Sequence, residues 1–227
     1  GGAPGGRGGE ADPPLLLDLR FGRVTMGAGR DMLDVALVAR TDALGVLREA
    51  RAEGRTAAQG GAFAFTLTPR GQERHLRLTA ENGGALLRAL DLADPIEGGR
   101  LSVTAVYPEA RPGAPLIGTA ELDQYVVRNA PALGKLLQAM TLYGVLEALQ
   151  GGSGLAFARL VAPFTLTPEA LTLRDARAFS ASLGLTAKGR IWRERSHIDI
   201  EGSSAPRPAA ASSPPPTACR APSPSRR

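Results

Sequence analysis

The side chains that could do chemistry are few and scattered. In 227 residues His75 and His197 are the only histidines, Cys219 is the only cysteine and Trp192 the only tryptophan. Each histidine stands among arginine and glutamate in a strand or turn, the setting of a solvated residue rather than of a metal ligand or general base. A lone cysteine forms no internal disulfide and leaves the redox compartment unread. Gly22 and Gly27 have the spacing that opens a phosphate loop but not the lysine and hydroxyl residue that must follow. Gly98-Gly99 and Gly151-Gly152 read as turn and cap glycines. Trp192 reads as a rim aromatic rather than a ligand platform. With no paired-carboxylate motif, nucleophile elbow or Cys/His cluster, the inventory points to no enzyme, no cofactor and no metal.

What the chain does hold is apolar residues at a period of two, which must be carried by strands. Phe63, Phe65 and Leu67 run to a turn at Pro69-Arg-Gly71, and Leu76 and Leu78 return from it as a hairpin. Leu101 and Val103 alternate in the same way. So do Phe164 and Leu166, Leu171 and Leu173 across a turn at Pro168, and Leu183 and Leu185. Such a face can close as an ordinary α+β core or line a groove for acyl chains, because both gain by the same removal of apolar surface from water. The pattern leaves both open.

Two short helical elements interrupt the strands. Asn82 caps one, with Leu86, Leu87 and Leu90 on one side. Asn129 caps the other, with Pro131 in its first turn and Leu133, Leu136, Leu137 and Met140 at i, i+3, i+4 and i+7. Both are expected to plug an end of the face. Upstream, Leu15, Leu17, Leu19 and Phe21 alternate until Gly22, where the phase shifts to Val24 and Met26 and predicts a bulge. Leu33 to Ala39 form the next strand. Residues 41–60 have helix propensity, yet a strand is the favoured reading there. Phe65-Thr-Leu-Thr-Pro69 recurs as Phe164-Thr-Leu-Thr-Pro168, and Leu78-Thr-Ala80 as Leu185-Thr-Ala187, an echo expected of serial hairpins extending one sheet.

The net charge of +5 is a property of the end of the chain. From Ser203 onward Arg207, Arg220, Arg226 and Arg227 face no acid, and the body before them is near neutral. No basic stripe interleaved with aromatics is present, so nucleic acid is not an expected partner. Residues 1–14 form a Gly/Pro-rich lead, 15–202 the folded β-rich domain, and 203–227 a Pro/Ala/Ser/Arg tail too poor in apolar residues to order itself. The abrupt change after Gly202 is read as a truncation, a shifted frame or a native tail. No apolar run approaches 18 residues.

Roughly residues 14–202 resemble one family, most strongly after Leu116. Tyr125-Val-Val-Arg-Asn-Ala-Pro-Ala-Leu-Gly-Lys-Leu-Leu, Leu142-Tyr-Gly-Val-Leu-Glu-Ala-Leu-Gln-Gly, Leu155-Ala-Phe-Ala-Arg-Leu-Val-Ala-Pro-Phe, Leu171-Thr-Leu-Arg-Asp-Ala-Arg-Ala and Leu183-Gly-Leu-Thr-Ala-Lys-Gly-Arg-Ile resemble, in order and spacing, the C-terminal region of AsmA-like proteins of the YhdP type. The resemblance implies an extended twisted antiparallel sheet forming an open groove, mostly β with two helical elements. It implies a fragment of a long periplasmic protein, tethered to the inner membrane by an anchor lying upstream. It further implies phospholipid as cargo and envelope proteins at the inner or outer membrane as partners. The alternative is a structural or protein-interaction β module with a closed core that scaffolds outer-membrane biogenesis.

Overall fold

The structure is a computed structural model, and it describes residues 13–27, 30–57, 60–128, 154–180, 183–192 and 198–206. Eleven strands follow one another: β1 (Leu16–Thr25), β2 (Asp31–Thr41), β3 (Leu47–Thr56), β4 (Ala62–Arg70), β5 (Glu73–Ala80), β6 (Ile96–Tyr107), β7 (Leu116–Val127), β8 (Leu155–Leu166), β9 (Ala170–Phe179), β10 (Leu183–Trp192) and β11 (Ile198–Pro206). Each pairs antiparallel with the next, in chain order, and the sheet does not close into a barrel. The mostly β expectation therefore holds as one open antiparallel meander.

Among the described residues there is a single helix, α1 (Gly83–Ala89), between β5 and β6. The second expected helical element, from Asn129 through Leu133, Leu136, Leu137 and Met140, lies outside the described residues. The chain leaves β7 and re-enters at β8 at the same end of the sheet as α1, which we call the helix end. At the opposite turn end sit the β2–β3 and β4–β5 turns, the β6–β7 loop and the β8–β9 turn.

Residues 41–60 are turn and strand. Helix propensity loses there because Ala50 and Ala52 pair with Leu67 and Phe65 on β4, so the sheet outbids a marginal local preference. The phase shift at Gly22 is real, but no extra residue is inserted there. The β1–β2 register is the same on both sides of it, and the irregularity sits on Asp34, with φ of 52°, and in the shifted pairing of β2 with β3. Met26, expected on the apolar face, is exposed. β11 pairs with β10 through Pro206, four residues past Gly202.

The sheet curls toward its apolar side. Val46 and Leu47 at the start of β3 and Leu166 at the end of β8 line one cavity at the turn end. Strands five apart in a flat sheet would be separated by roughly 24 Å.

Candidate functional site

The register places all thirteen candidate side chains on one face. Leu67 pairs with Leu76, Leu76 with Ala105, Ala105 with Gly118, Gly118 with Phe164, and Phe164 with Leu173, a continuous row across seven strands counted from Ala50 on β3. A neighbouring row holds Phe65, Leu78, Val103 and Ala120, and a third Phe63, Ala80, Leu101, Leu122 and Leu160. Because side chains alternate across a pleated strand, these rows share a face. The other face carries Asp18, Arg51, Thr66, Arg77, Thr104 and Thr119 in the intervening register. Ion pairs such as Arg159 with Glu121 at 2.7 Å keep that outer face solvated.

The apolar face is sealed at the helix end and unevenly covered elsewhere. Asn82 accepts from the Ala85 amide at 3.0 Å, starting α1, which packs mainly on β6. Leu86 is 1 % exposed and joins Phe63, Leu101, Leu122, Tyr125, Phe157 and Leu183 in the main core; Leu90 is the exposed C-cap residue. Two glycines let the helix lie flush. A Cβ on Gly83 would stand 2.6 Å from Leu122 Cδ1, and one on Gly84 2.6 Å from the Ile96 carbonyl oxygen. A second, smaller cluster holds Ala39, Ala50 and Leu67, with Leu17, Leu37, Phe65, Leu76 and Tyr107 around it. Phe63, Leu67, Leu101 and Leu183 are buried. Phe65, Leu76, Leu78, Val103, Phe164, Leu166, Leu171, Leu173 and Leu185 are only half-buried. At the two edges the same face shows Phe21, 44 % exposed, and Ile200, 45 % exposed.

Several core residues escape a simple alternation reading. Leu122 lies inward, yet so does Tyr125, three residues on, because Gln124 has φ of 56° and flips the phase. Its neighbour β8 flips in step, and Tyr125 stacks on Phe157 at 5.2 Å. Burial pushes the Tyr125 phenol well above the ordinary tyrosine range. Arg74 also lies inward, on the same phase as Leu76 and Leu78, and its guanidinium covers the Tyr107 ring at 4.3 Å. That parity was its only sequence signal.

Of the side chains first considered for chemistry, His75 and Trp192 lie on separate strands, β5 and β10. His75 is on the outer face beside Glu73 at 3.0 Å. Trp192, also outward, lies near the Arg190 guanidinium. His197 and Cys219 fall outside the described residues. Among the described residues no group of three or more His, Cys, Asp or Glu could hold a metal, and no helix is long and apolar enough to cross a membrane.

Fold and face together define an open antiparallel sheet protein, apolar within its curl and polar outside. Comparison with protein-family models, with curated proteins and with solved structures finds no match to this chain.

Proposed function

We propose that this chain is a non-enzymatic module of a lipid conduit, whose apolar face shields phospholipid acyl chains in transit between the inner and outer membranes. The observation that carries this reading is the half-buried part of the face. Away from α1, Phe65, Leu76, Phe164, Leu171 and Leu173 stand half-buried on one continuous side of an open sheet. Covering such surface with an acyl chain gains about 25 cal/mol per Å². The resemblance to AsmA-like proteins supports the same reading and brings with it a periplasmic setting, an anchor lying upstream and envelope proteins as partners. The competing reading is a closed core with free strand edges that recruit a partner. It is favoured at the helix end, where Leu86 seals Leu101 and Leu122, and in the second cluster around Leu67, which is 2 % exposed.

Native mass spectrometry with lipid extraction, on the chain purified from a bacterial envelope, tests the proposal. Phospholipid should co-purify, and Phe65→Asp or Leu173→Asp should remove it while circular dichroism still reports the sheet. A stable chain that carries no lipid and takes none from phospholipid vesicles would sink the conduit reading.

A further inference from the structure

Arg74 is a cation where the pattern calls for an apolar residue. It is 4 % exposed, on the inner face at the turn end, in register with Tyr107 on the next strand. Nη1 donates to the Leu47 carbonyl at 2.7 Å and Nη2 to the Glu109 carbonyl at 3.1 Å. Those two bonds leave most of the five guanidinium donors unused, and the buried Nε finds no acceptor among the described residues. No carboxylate among those residues comes within ion-pair distance. The acids around it are committed elsewhere, Asp42 to the amides of Leu44 and Val46 and Glu109 to Arg111.

A buried guanidinium without a countercharge is costly, and a strap between two carbonyls does not require one. Its planar fork, set over the Tyr107 ring, suits an oxyanion. The same residue lines a cavity of about 350 Å³ together with Val46, Tyr107, Gly113 and Leu166. Arg111 lies on the cavity wall with its side chain 56 % exposed, in a solvated ion pair with Glu109 that an incoming anion must exchange; of the other charges near Arg74, Arg48 adds positive potential and Asp42 opposes it. The volume falls within the range of small-ligand sites. The cavity adjoins the apolar face, with Leu166 belonging to both.

We propose that this cavity is an oxyanion site in which Arg74 and Arg111 hold the phosphate of a phospholipid whose chains lie along the apolar face. The site rests on a buried guanidinium that has no carboxylate partner among the described residues and an Nε without an acceptor there; only the source of the phosphate rests on the lipid reading above.

Calorimetric titration of the full chain separates the two. The probes are dihexanoyl phosphatidic acid below its micellar concentration, dihexanoylglycerol with the same chains and no phosphate, and inorganic phosphate. Phosphatidic acid should bind more tightly than dihexanoylglycerol. Arg111→Ser and Arg74→Lys should each weaken it roughly tenfold, the loss expected for a charge-assisted hydrogen bond, and leave dihexanoylglycerol unchanged. Arg70→Ser, an exposed arginine at the same end, should change nothing. Should Arg74→Lys fail to fold by circular dichroism, Arg111→Ser decides. Equal affinity for the two lipids, unaffected by either substitution, overturns the oxyanion site and leaves the lipid reading standing. Arginine-dependent binding of inorganic phosphate with no binding of either lipid keeps the site, makes free phosphate its ligand and overturns the lipid reading. No binding of any probe overturns both.

Discussion

At the scale of single residues, glycine does work at Gly84 that its helix propensity hides. In a solvated helix Gly→Ala gains up to about 1 kcal/mol. Here the added methyl would meet the Ile96 carbonyl oxygen at 2.6 Å and Glu97 Cα at 2.9 Å, both backbone atoms that cannot swing aside. Overpacking of that kind costs about 1–3 kcal/mol, so the contact wins. Gly84→Ala should lower the midpoint of denaturant unfolding, and a raised midpoint would mean α1 sits further from β6 than the structure places it. Leu86 makes the complementary case. Truncation to alanine leaves a hole among Leu101, Leu122 and Phe157 that a seven-residue helix cannot collapse to fill, so a loss of about 2–5 kcal/mol is expected in the same measurement.

At the scale of elements, the β7–β8 pair ties stability to pH through Tyr125. Its phenol is buried against Phe157, so its pKa is raised in the folded state while the unfolded chain keeps a value near 10.0. Below pH 10 both states hold the proton and nothing is lost. Above it the unfolded state releases the proton first, and stability falls by up to about 1.4 kcal/mol per pH unit. Tyr125→Phe should flatten this alkaline loss in chemical denaturation between pH 9.5 and 11; an unchanged slope would assign it to other groups. The same pair shows what the sequence made legible. Strands with uniform alternation, such as Phe63 to Leu67, could be read residue by residue, down to which side chains share a face. Tyr125 and Phe157 could not, because a left-handed Gln124 shifts the phase without changing the β7–β8 pairing. The repeated Leu-Thr-Ala proved to be alternation rather than a repeat unit, since β5 and β10 run in opposite directions across the sheet.

At the scale of the whole molecule, a meander of eleven strands in chain order has, among the described residues, two unpaired edges, and its stability must be graded along the sheet. The strands were legible, but not what covers their apolar face. Alternation fixes which way Phe164 and Leu173 point, whereas their burial depends on curl and on α1, set by contacts far apart in sequence. Strand order places the gradient. β6 and β7 pair on both sides and lie under or beside α1, while among the described residues β1 pairs only with β2 and β11 only with β10. Amides in strands that open without breaking the core exchange at a cost well below global unfolding. Hydrogen exchange read by mass spectrometry should therefore be slowest in β6 and β7 and fastest in β1 and β11. The exposed apolar flanks at Phe21 and Ile200 make these edges ready to add a strand. If β1 or β11 proves as protected as β6, dilution distinguishes the causes. Protection that falls with concentration means the edge has paired with a second copy. Protection that persists means the edge strands hold within one chain more firmly than their single neighbours account for, and the graded sheet is wrong.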